Sequence, residues 1–411
     1  MLLLLGCYTV ANGQETHVLP LGAAKSDTVA AKPKLFHKYK EMDIIDVALE
    51  IANKTSLRHI DTTAKKKGKL YIAPLPGIGY SLNTGLAAVL NTNFAFYTSA
   101  KQEANISSIV TSINVTQMNQ FILPILSNIW LDDNKYNIQG NWLYAKFPQA
   151  TFGLGGHTNL TNTFNIDYSN IRLQTALYRA IAPDLLLGLG YTYEYFWNIS
   201  QVSQPTGDVT DMTKYGFTPT STSSAPTLNL LYDTRRNSIT PEGGNFANIT
   251  YRPNLTVLGS DANWQSLVVD LRKYIHLPVG SNNILAFWTY EWLTFGPDKA
   301  PYVLLPNTGG DPYNNTGRGY SPGRFRGSDM LYLESEYRFR IMRNGLLGGV
   351  VFCNTESFTE PGSTHFDVIY PGYGAGLRIR FNKYSKVNVA LDYGFGVDGS
   401  RGFFLNLGEF F

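Results

Sequence analysis

From residue 70 onward, apolar and polar residues alternate along the chain in segments of about ten residues. In LYLESEYRFR (331–340), one set of alternate positions is mainly apolar, and the other carries two glutamates and two arginines. The segments YGAGLRIRF (373–381) and VNVALDYGFG (387–396) follow the same pattern. Since successive side chains of a strand point to opposite faces, this period of two predicts strands with one apolar and one polar face.

Turn-bounded segments of this kind predict about 16 strands between residues 70 and 411. They lie near residues 71–80, 84–99, 105–117, 120–130, 136–148, 166–182, 185–199, 226–233, 245–256, 263–277, 282–296, 328–342, 345–354, 370–381, 386–396 and 402–411. The connections alternate in length. Long ones, such as 200–225 and 297–327, face short ones, such as 183–185 and 381–385.

Long loops opposite short turns, with an even number of strands, are typical of outer-membrane barrels. Closure of such a sheet removes the strand edges that lipid would not tolerate. We therefore predict an all-β fold, an antiparallel transmembrane β-barrel over residues 70–411, placed in the bacterial outer membrane with its lipid as a partner.

The residues before the barrel have a different pattern. Residues 15–69 are rich in lysine, and their one helical pattern places Ile44, Val47, Ala48 and Ile51 on a shared face. We predict a short periplasmic or plug segment with one amphipathic helix. Residues 1–14, an apolar run followed by small residues, predict a signal peptide. Leu-Leu-Gly-Cys also fits a lipoprotein cleavage pattern, which makes Cys7 a candidate lipid anchor.

The composition agrees with a strand-rich membrane protein. The chain has 26 Tyr, 23 Phe, 6 Trp and 38 Gly, but no apolar run near the roughly 18 residues that a membrane helix requires. A net charge of +3, from 34 basic and 31 acidic residues, gives no reason to expect nucleic acid as a partner. Six scattered histidines and two cysteines predict neither a metal site nor a disulfide framework, and no cofactor is expected.

Two motifs that imitate enzyme sites fail on chemical grounds. Residues 319–323 match G-x-S-x-G, but Pro322 has no N–H to donate to an oxyanion. Residues 394–399 match G-x-G-x-x-G, but they end a predicted strand and no helix follows to receive a pyrophosphate. We therefore do not expect an enzyme.

Three separated stretches resemble the BamA/TamA-like outer-membrane proteins, the bacterial surface antigen family. GRGYSPGRFRG (317–327) is similar to the family's loop-six motif, whose core is Arg-Gly-aromatic, here Arg318, Gly319 and Tyr320. LLYDTRRNSITPEGGNF (230–246) resembles the mid-barrel turn, and VALDYGFGVDGS resembles the penultimate-strand motif with its acidic residue, here Asp392. The resemblance implies a role in the assembly or translocation of outer-membrane proteins.

The resemblance also implies that loop six, residues 297–327, folds back into the barrel lumen. A 31-residue connection without secondary structure is typically functional, and a planar guanidinium can bind carboxylates in a confined lumen. We predict a loop-six lock in which Arg318 pairs with Glu336 and Asp392. Glu334, Arg324 and Arg326 are candidate secondary lumen contacts; for the two arginines a solvated surface position is the open alternative.

The segment GFFLNLGEFF (402–411) resembles the C-terminal signal of bacterial outer-membrane barrels. It predicts a final strand with one outward apolar face and one departure, Glu409. The predicted outward residues are Phe403, Leu405, Leu407 and Phe411.

One departure from the family qualifies the expected function. Members that assemble or translocate proteins carry N-terminal POTRA domains, whereas about 55 residues lie here between signal and barrel, too few for one complete domain. Another envelope protein or lipoprotein would have to supply a client-binding arm. Two alternatives remain: a scaffold subunit of a larger envelope complex, and a solute pore whose lumen is lined by Arg338, Arg340, Arg378 and Arg380.

Overall fold

The computed structural model describes residues 41–53, 70–81, 85–99, 105, 107–203, 209–235, 237–383 and 386–411. The predicted signal peptide, Cys7 and most of the predicted segment 15–69 lie outside the described residues.

Within the described residues, seventeen strand segments form one antiparallel sheet. They are β1 (Tyr71–Ser81), β2 (Gly85–Phe96), β3 (Ser107–Thr116), β4 (Phe121–Leu131), β5 (Tyr136–Lys146), β6 (Gln149–Thr151), β7 (Phe164–Ala182), β8 (Leu185–Ser203), β9 (Ser221–Asp233), β10 (Gly244–Asn254), β11 (Trp264–His276), β12 (Ile284–Phe295), β13 (Met330–Arg340), β14 (Leu347–Phe358), β15 (Tyr370–Asn382), β16 (Val387–Phe395) and β17 (Arg401–Leu407).

Each strand pairs with the next in chain order, except that β5 and β6 both pair with β7. The short β6 continues the line of β5 beyond Pro148, a residue without the N–H that a ladder needs. The sheet therefore has 16 barrel strands, and the predicted β-barrel is confirmed. Its two end strands, β1 and β17, approach within 8 Å between Cα atoms.

The period of two sorts the side chains as predicted. In β13, Leu333 is 45% exposed on the lipid side, whereas Tyr332 and Glu336 are fully buried on the lumen side. The longest connections, 152–163, 204–220, 296–329 and 359–369, lie at one end of the barrel, which we call the loop end. The connections at the other end, the turn end, have at most ten residues.

The apolar core lies inside the barrel and at its loop end. One cluster fills the lumen around Trp288, Tyr320, Phe325 and Tyr332. A second closes the loop end, where residues of loop six pack on neighbouring loops and on the strands below them. Its largest members include Phe164, Phe196, Met212, Trp264 and Tyr302.

The described helices are short: α1 (Ile44–Ile51), α2 (Asp211–Tyr215) and single 3-10 turns at Leu160–Asn162, Thr256–Leu258, Tyr302–Leu304 and Val397–Gly399. None of the helices in the described residues is long and apolar enough to cross a membrane.

Helix α1 forms where the sequence predicts it, but the face shared by Ile44, Val47, Ala48 and Ile51 is not the buried one. Leu49 is its buried residue, and Ile51 is 79% exposed. The helix is attached by its beginning: Asp43 accepts from the amide of Lys383 (2.8 Å), and Asp46 binds the Lys383 ammonium (2.8 Å) at the turn between β15 and β16. Because the helix is attached at this polar end, its last two residues, Glu50 and Ile51, are exposed.

Candidate functional site in the barrel lumen

Loop six enters the lumen and lies directly on the inner surface of β16. The residue that allows this approach is Gly319, whose φ of +113° is a conformation that residues with a Cβ rarely adopt. A Cβ there would lie 2.6 Å from the carbonyl oxygen of Phe395, and one on Gly394 would lie 2.8 Å from the amide nitrogen of Gly319. The loop and the strand therefore touch backbone to backbone, and this contact accounts for Gly319 in one motif and Gly394 in the other.

The approach places Arg318 against three carboxylates of the barrel wall. Its guanidinium donates to Glu334 and Glu336 of β13 and to Asp392 of β16. All four side chains are fully buried. The structure thus brings Arg318 together with both carboxylates named for the lock and with Glu334, a predicted secondary contact.

Two arginines of the wall extend these contacts into a larger group. Arg338 of β13 donates to Glu336 (2.7 Å), and Arg378 of β15 donates to Asp392 and to Glu409 (2.5 Å). We name the group the lumen ion cluster: Arg318, Arg338, Arg378, Glu334, Glu336, Asp392 and Glu409.

The cluster is nearly balanced, with four acidic and three basic members. Burial opposes the charge on Arg318, but the neighbouring carboxylates together outweigh it and raise the pKa of this guanidinium well above its usual value. The rings of Phe352 and Phe410, centred 3.8 and 4.5 Å from its central carbon, add cation–π contacts.

Tyr320 fixes the loop beside the arginine. Its hydroxyl donates to the carbonyl of Pro371 (2.5 Å) and accepts from the amide of Val397 (3.1 Å). Its ring packs edge-on against Phe325, with centroids 5.2 Å apart. The Arg-Gly-aromatic core thus combines a cation, a close backbone approach and an anchored ring.

Arg324 and Arg326 are buried, so the solvated surface position is wrong for both. Arg324 donates to the hydroxyl (2.8 Å) and carbonyl (3.0 Å) of Thr158, and Arg326 donates to the carbonyl of Tyr302 (3.0 Å). These partners belong to the loops at the loop end. Arg324 therefore joins loop six to a neighbouring loop, whereas the Arg326 side chain binds within loop six itself. Neither arginine pairs with the carboxylates around Arg318.

The prediction for residues 402–411 needs a correction. Phe403, Leu405 and Leu407 are about half exposed on the lipid side, but Phe411 is 2% exposed inside the lumen. The strand ends at Leu407, and residues 408–411, which we call the lumen tail, turn inward. Glu409 therefore does not face outward but pairs with Arg378. Adjacent aromatic residues after a glycine were a signal that the alternation had ended.

The mid-barrel turn lies below the cluster at the turn end. Arg235 binds Asp233 through two hydrogen bonds, 2.9 and 2.8 Å long, and its guanidinium lies 4.1 Å from the ring centroid of Phe246. The carbonyl of Pro241 accepts from Arg338 (3.4 Å). The three stretches on which the family resemblance was based thus converge on one part of the lumen.

Comparison with known proteins identifies a family. The model of a family described as the Omp85 superfamily domain matches residues 98–411. Among curated proteins, no sequence matches the chain.

Solved structures share the fold at low sequence identity. BamA from Haemophilus ducreyi lacking POTRA domains 1–3 aligns with a TM-score of 0.54 and 13% identity over 88% of this chain and 76% of that one. CdiB from Acinetobacter baumannii aligns with a TM-score of 0.52 and 12% identity over 83% of this chain and 60% of that one. CdiB from Escherichia coli aligns with a TM-score of 0.52 and 9% identity over 84% of this chain and 63% of that one.

Proposed function

The chain belongs to the Omp85 superfamily, and from this premise we propose that it assembles proteins into the bacterial outer membrane or moves them across it, without catalytic chemistry. The protein is an outer-membrane β-barrel. The observation that carries the proposal is Arg318, a loop residue buried in the lumen against three wall carboxylates.

The arginine supports this function because it fixes a large loop inside the barrel. Loop six and the lumen tail fill the lumen next to β13–β16 with buried aromatic residues, which leaves little room for free passage of solutes. Removing one partner from a buried ion pair costs about 3–5 kcal/mol, so the loop leaves its place only when other contacts compensate. Contact with a client or a partner chain supplies such compensation.

The barrel also offers a place where a protein can enter or leave the sheet. In the part of the chain that the structure describes, β1 and β17 approach each other without a paired residue register. An edge without a complete ladder is a template for strand pairing. We propose this seam as the moving part and a second envelope protein as the source of the client-binding arm.

Depletion of the protein in its native cells, followed by quantitative proteomics of the outer membrane, tests the function. We expect other barrels or surface lipoproteins to fall together, and wild-type protein to restore them. Arg318→Ala should restore them poorly at equal abundance. The matched control is Arg252→Ala, which breaks the ion pair with Glu194 (2.6 Å) between β8 and β10, outside the lumen ion cluster. An unchanged outer membrane after depletion would reject the proposal.

Conductance in planar bilayers separates this function from that of a solute pore. A lumen filled by loop six and the lumen tail predicts small, irregular currents for the purified protein. A large, steady conductance through the wild-type protein would favour the pore.

A further inference from the structure

We propose that the lumen tail holds the seam strand β17 in place by binding the ion cluster and loop six, so that releasing either one loosens the other. This inference concerns how the barrel is held together, and it goes beyond the proposed function.

The seam-facing edge of β1 lacks two backbone donors. The amide of Gln117, the residue after β3, donates to the carbonyl of Leu86 (2.7 Å), so the peptide groups of even-numbered β2 residues face β3. The β2 partners of Pro74 and Pro76 are even-numbered. These prolines therefore occupy sites whose N–H would point away from β2, toward β17, and proline has no N–H.

The edge of β17 opposite them is also weakened as a donor. The amide of Gly408 donates to Asn388 of β16 (2.7 Å), so odd-numbered residues of β17 direct their amides toward β1. Of these, the amide of Leu407 donates to the side chain of its neighbour Asn406 (2.9 Å). Backbone pairing alone thus holds this end of β17 poorly.

The lumen tail provides the missing attachment from inside. At Gly408 a φ of +103° turns the chain inward, and a Cβ there would lie 2.6 Å from a side-chain carbon of Ile239. The amide of Glu409 donates to the carbonyl of Ile239 (2.9 Å). The carboxylate of Glu409 accepts from Arg378 (2.5 Å) and Asn388 (2.8 Å).

The two aromatic residues connect the tail to loop six and to strands β12 and β13. The ring of Phe410 lies 4.5 Å from the guanidinium carbon of Arg318, and its carbonyl accepts from Asn315 of the loop (2.6 Å). Phe411 stacks on Trp288 with centroids 5.2 Å apart, and a main-chain oxygen of Phe411 accepts from Arg338 (2.8 Å).

The tail therefore touches every arginine of the lumen ion cluster, and residues 409–411 are at most 8% exposed. Since β17 runs directly into these contacts, a displaced loop six would remove part of what holds the strand. Reciprocity follows from thermodynamic linkage: a displaced tail would loosen loop six by the same coupling.

Hydrogen exchange measured by mass spectrometry on the full protein in lipid nanodiscs tests the coupling. We compare wild type with Glu409→Gln and Phe410→Leu, and with the matched control Phe403→Leu on the lipid side of β17. Glu409→Gln weakens a charge-assisted hydrogen bond and should speed exchange in residues 401–407 and in residues 314–327 by about tenfold. Phe410→Leu loses the cation–π contact with Arg318 and should speed exchange in the same two segments by a smaller factor.

The control should leave exchange in residues 314–327 unchanged, because Phe403 packs on Tyr393 and not on the cluster. Arg318→Lys should speed exchange in residues 401–407, as reciprocity requires. If Glu409→Gln does not fold, the exchange measured for Phe410→Leu alone tests the coupling. Faster exchange confined to one of the two segments in every tail variant, or an unchanged β17 in Arg318→Lys, would overturn the proposal.

Discussion

The two walls that meet at the seam differ in charge. Strands β1–β4 contain no Asp, Glu, Lys or Arg, whereas β13–β16 contain eight. The uncharged wall uses neutral pairs such as Asn114, whose amide donates to Ser112 (2.8 Å). Because a buried charge without a partner is costly, the charged wall requires loop six and the lumen tail as cover. The neutral wall has no such requirement, so it can move at lower cost.

The largest expected effect comes from removing the central cation of the charged wall. Arg318→Ala leaves Glu334, Glu336 and Asp392 without it, which should cost about 3–5 kcal/mol because the group is fully buried. The measurement is the temperature at which the folded barrel loses its fast migration on semi-native gels. A transition temperature equal to that of the wild type would show that Arg318 does not lock loop six to the wall.

The second-largest effect is expected from adding one methyl group to each wall and comparing the two losses of stability. Gly394→Ala introduces a Cβ 2.8 Å from the backbone of Gly319, and overpacking of this kind costs about 1–3 kcal/mol. Gly77→Ala in β1 is the matched control, since a Cβ there would meet nothing within 4 Å. Urea unfolding in lipid vesicles, followed by tryptophan fluorescence, should show a lower midpoint for the first variant alone. Equal midpoints for the two variants would argue against close contact between loop and strand.

The smallest effect is expected within the neutral wall. Asn114→Ala removes hydrogen bonds to Ser112 and to the carbonyl of Ile122 (3.0 Å), each with a net contribution of about 1 kcal/mol. The midpoint of the same urea titration should fall slightly, and hydrogen exchange in residues 314–327 should stay at the wild-type rate. A loss as large as that of Arg318→Ala would mean that the walls do not differ in stiffness.

The sequence predicted the barrel and part of the site for identifiable reasons. Alternation placed Glu334, Glu336 and Asp392 on one face of their strands, and the loop-six motif pointed to Arg318 as their partner. The lumen tail was missed because alternation was extended past Gly408, where the φ of +103° ends it. Nothing in the local pattern marked this turn beyond the glycine and the paired aromatic residues that follow.

The destinations of Arg324 and Arg326 were also beyond local reasoning. Arg324 binds Thr158, which is 166 residues away in the chain. Such a contact depends on how two long loops pack over the barrel, and loop packing has no period that a sequence can reveal. Helix α1 shows the same limit: its pattern predicted the helix, while the attachment of its first turn to Lys383 decided which residues were buried.

The most direct test of the lumen ion cluster is a double-mutant cycle between Arg318 and Glu336. Urea unfolding in lipid vesicles would be measured for wild type, Arg318→Met, Glu336→Gln and the double variant. We expect strong non-additivity, with the double variant losing less stability than the sum of the single losses, because each single change leaves a buried charge with fewer partners. Losses that add within about 0.5 kcal/mol would contradict a buried pair between loop six and the wall.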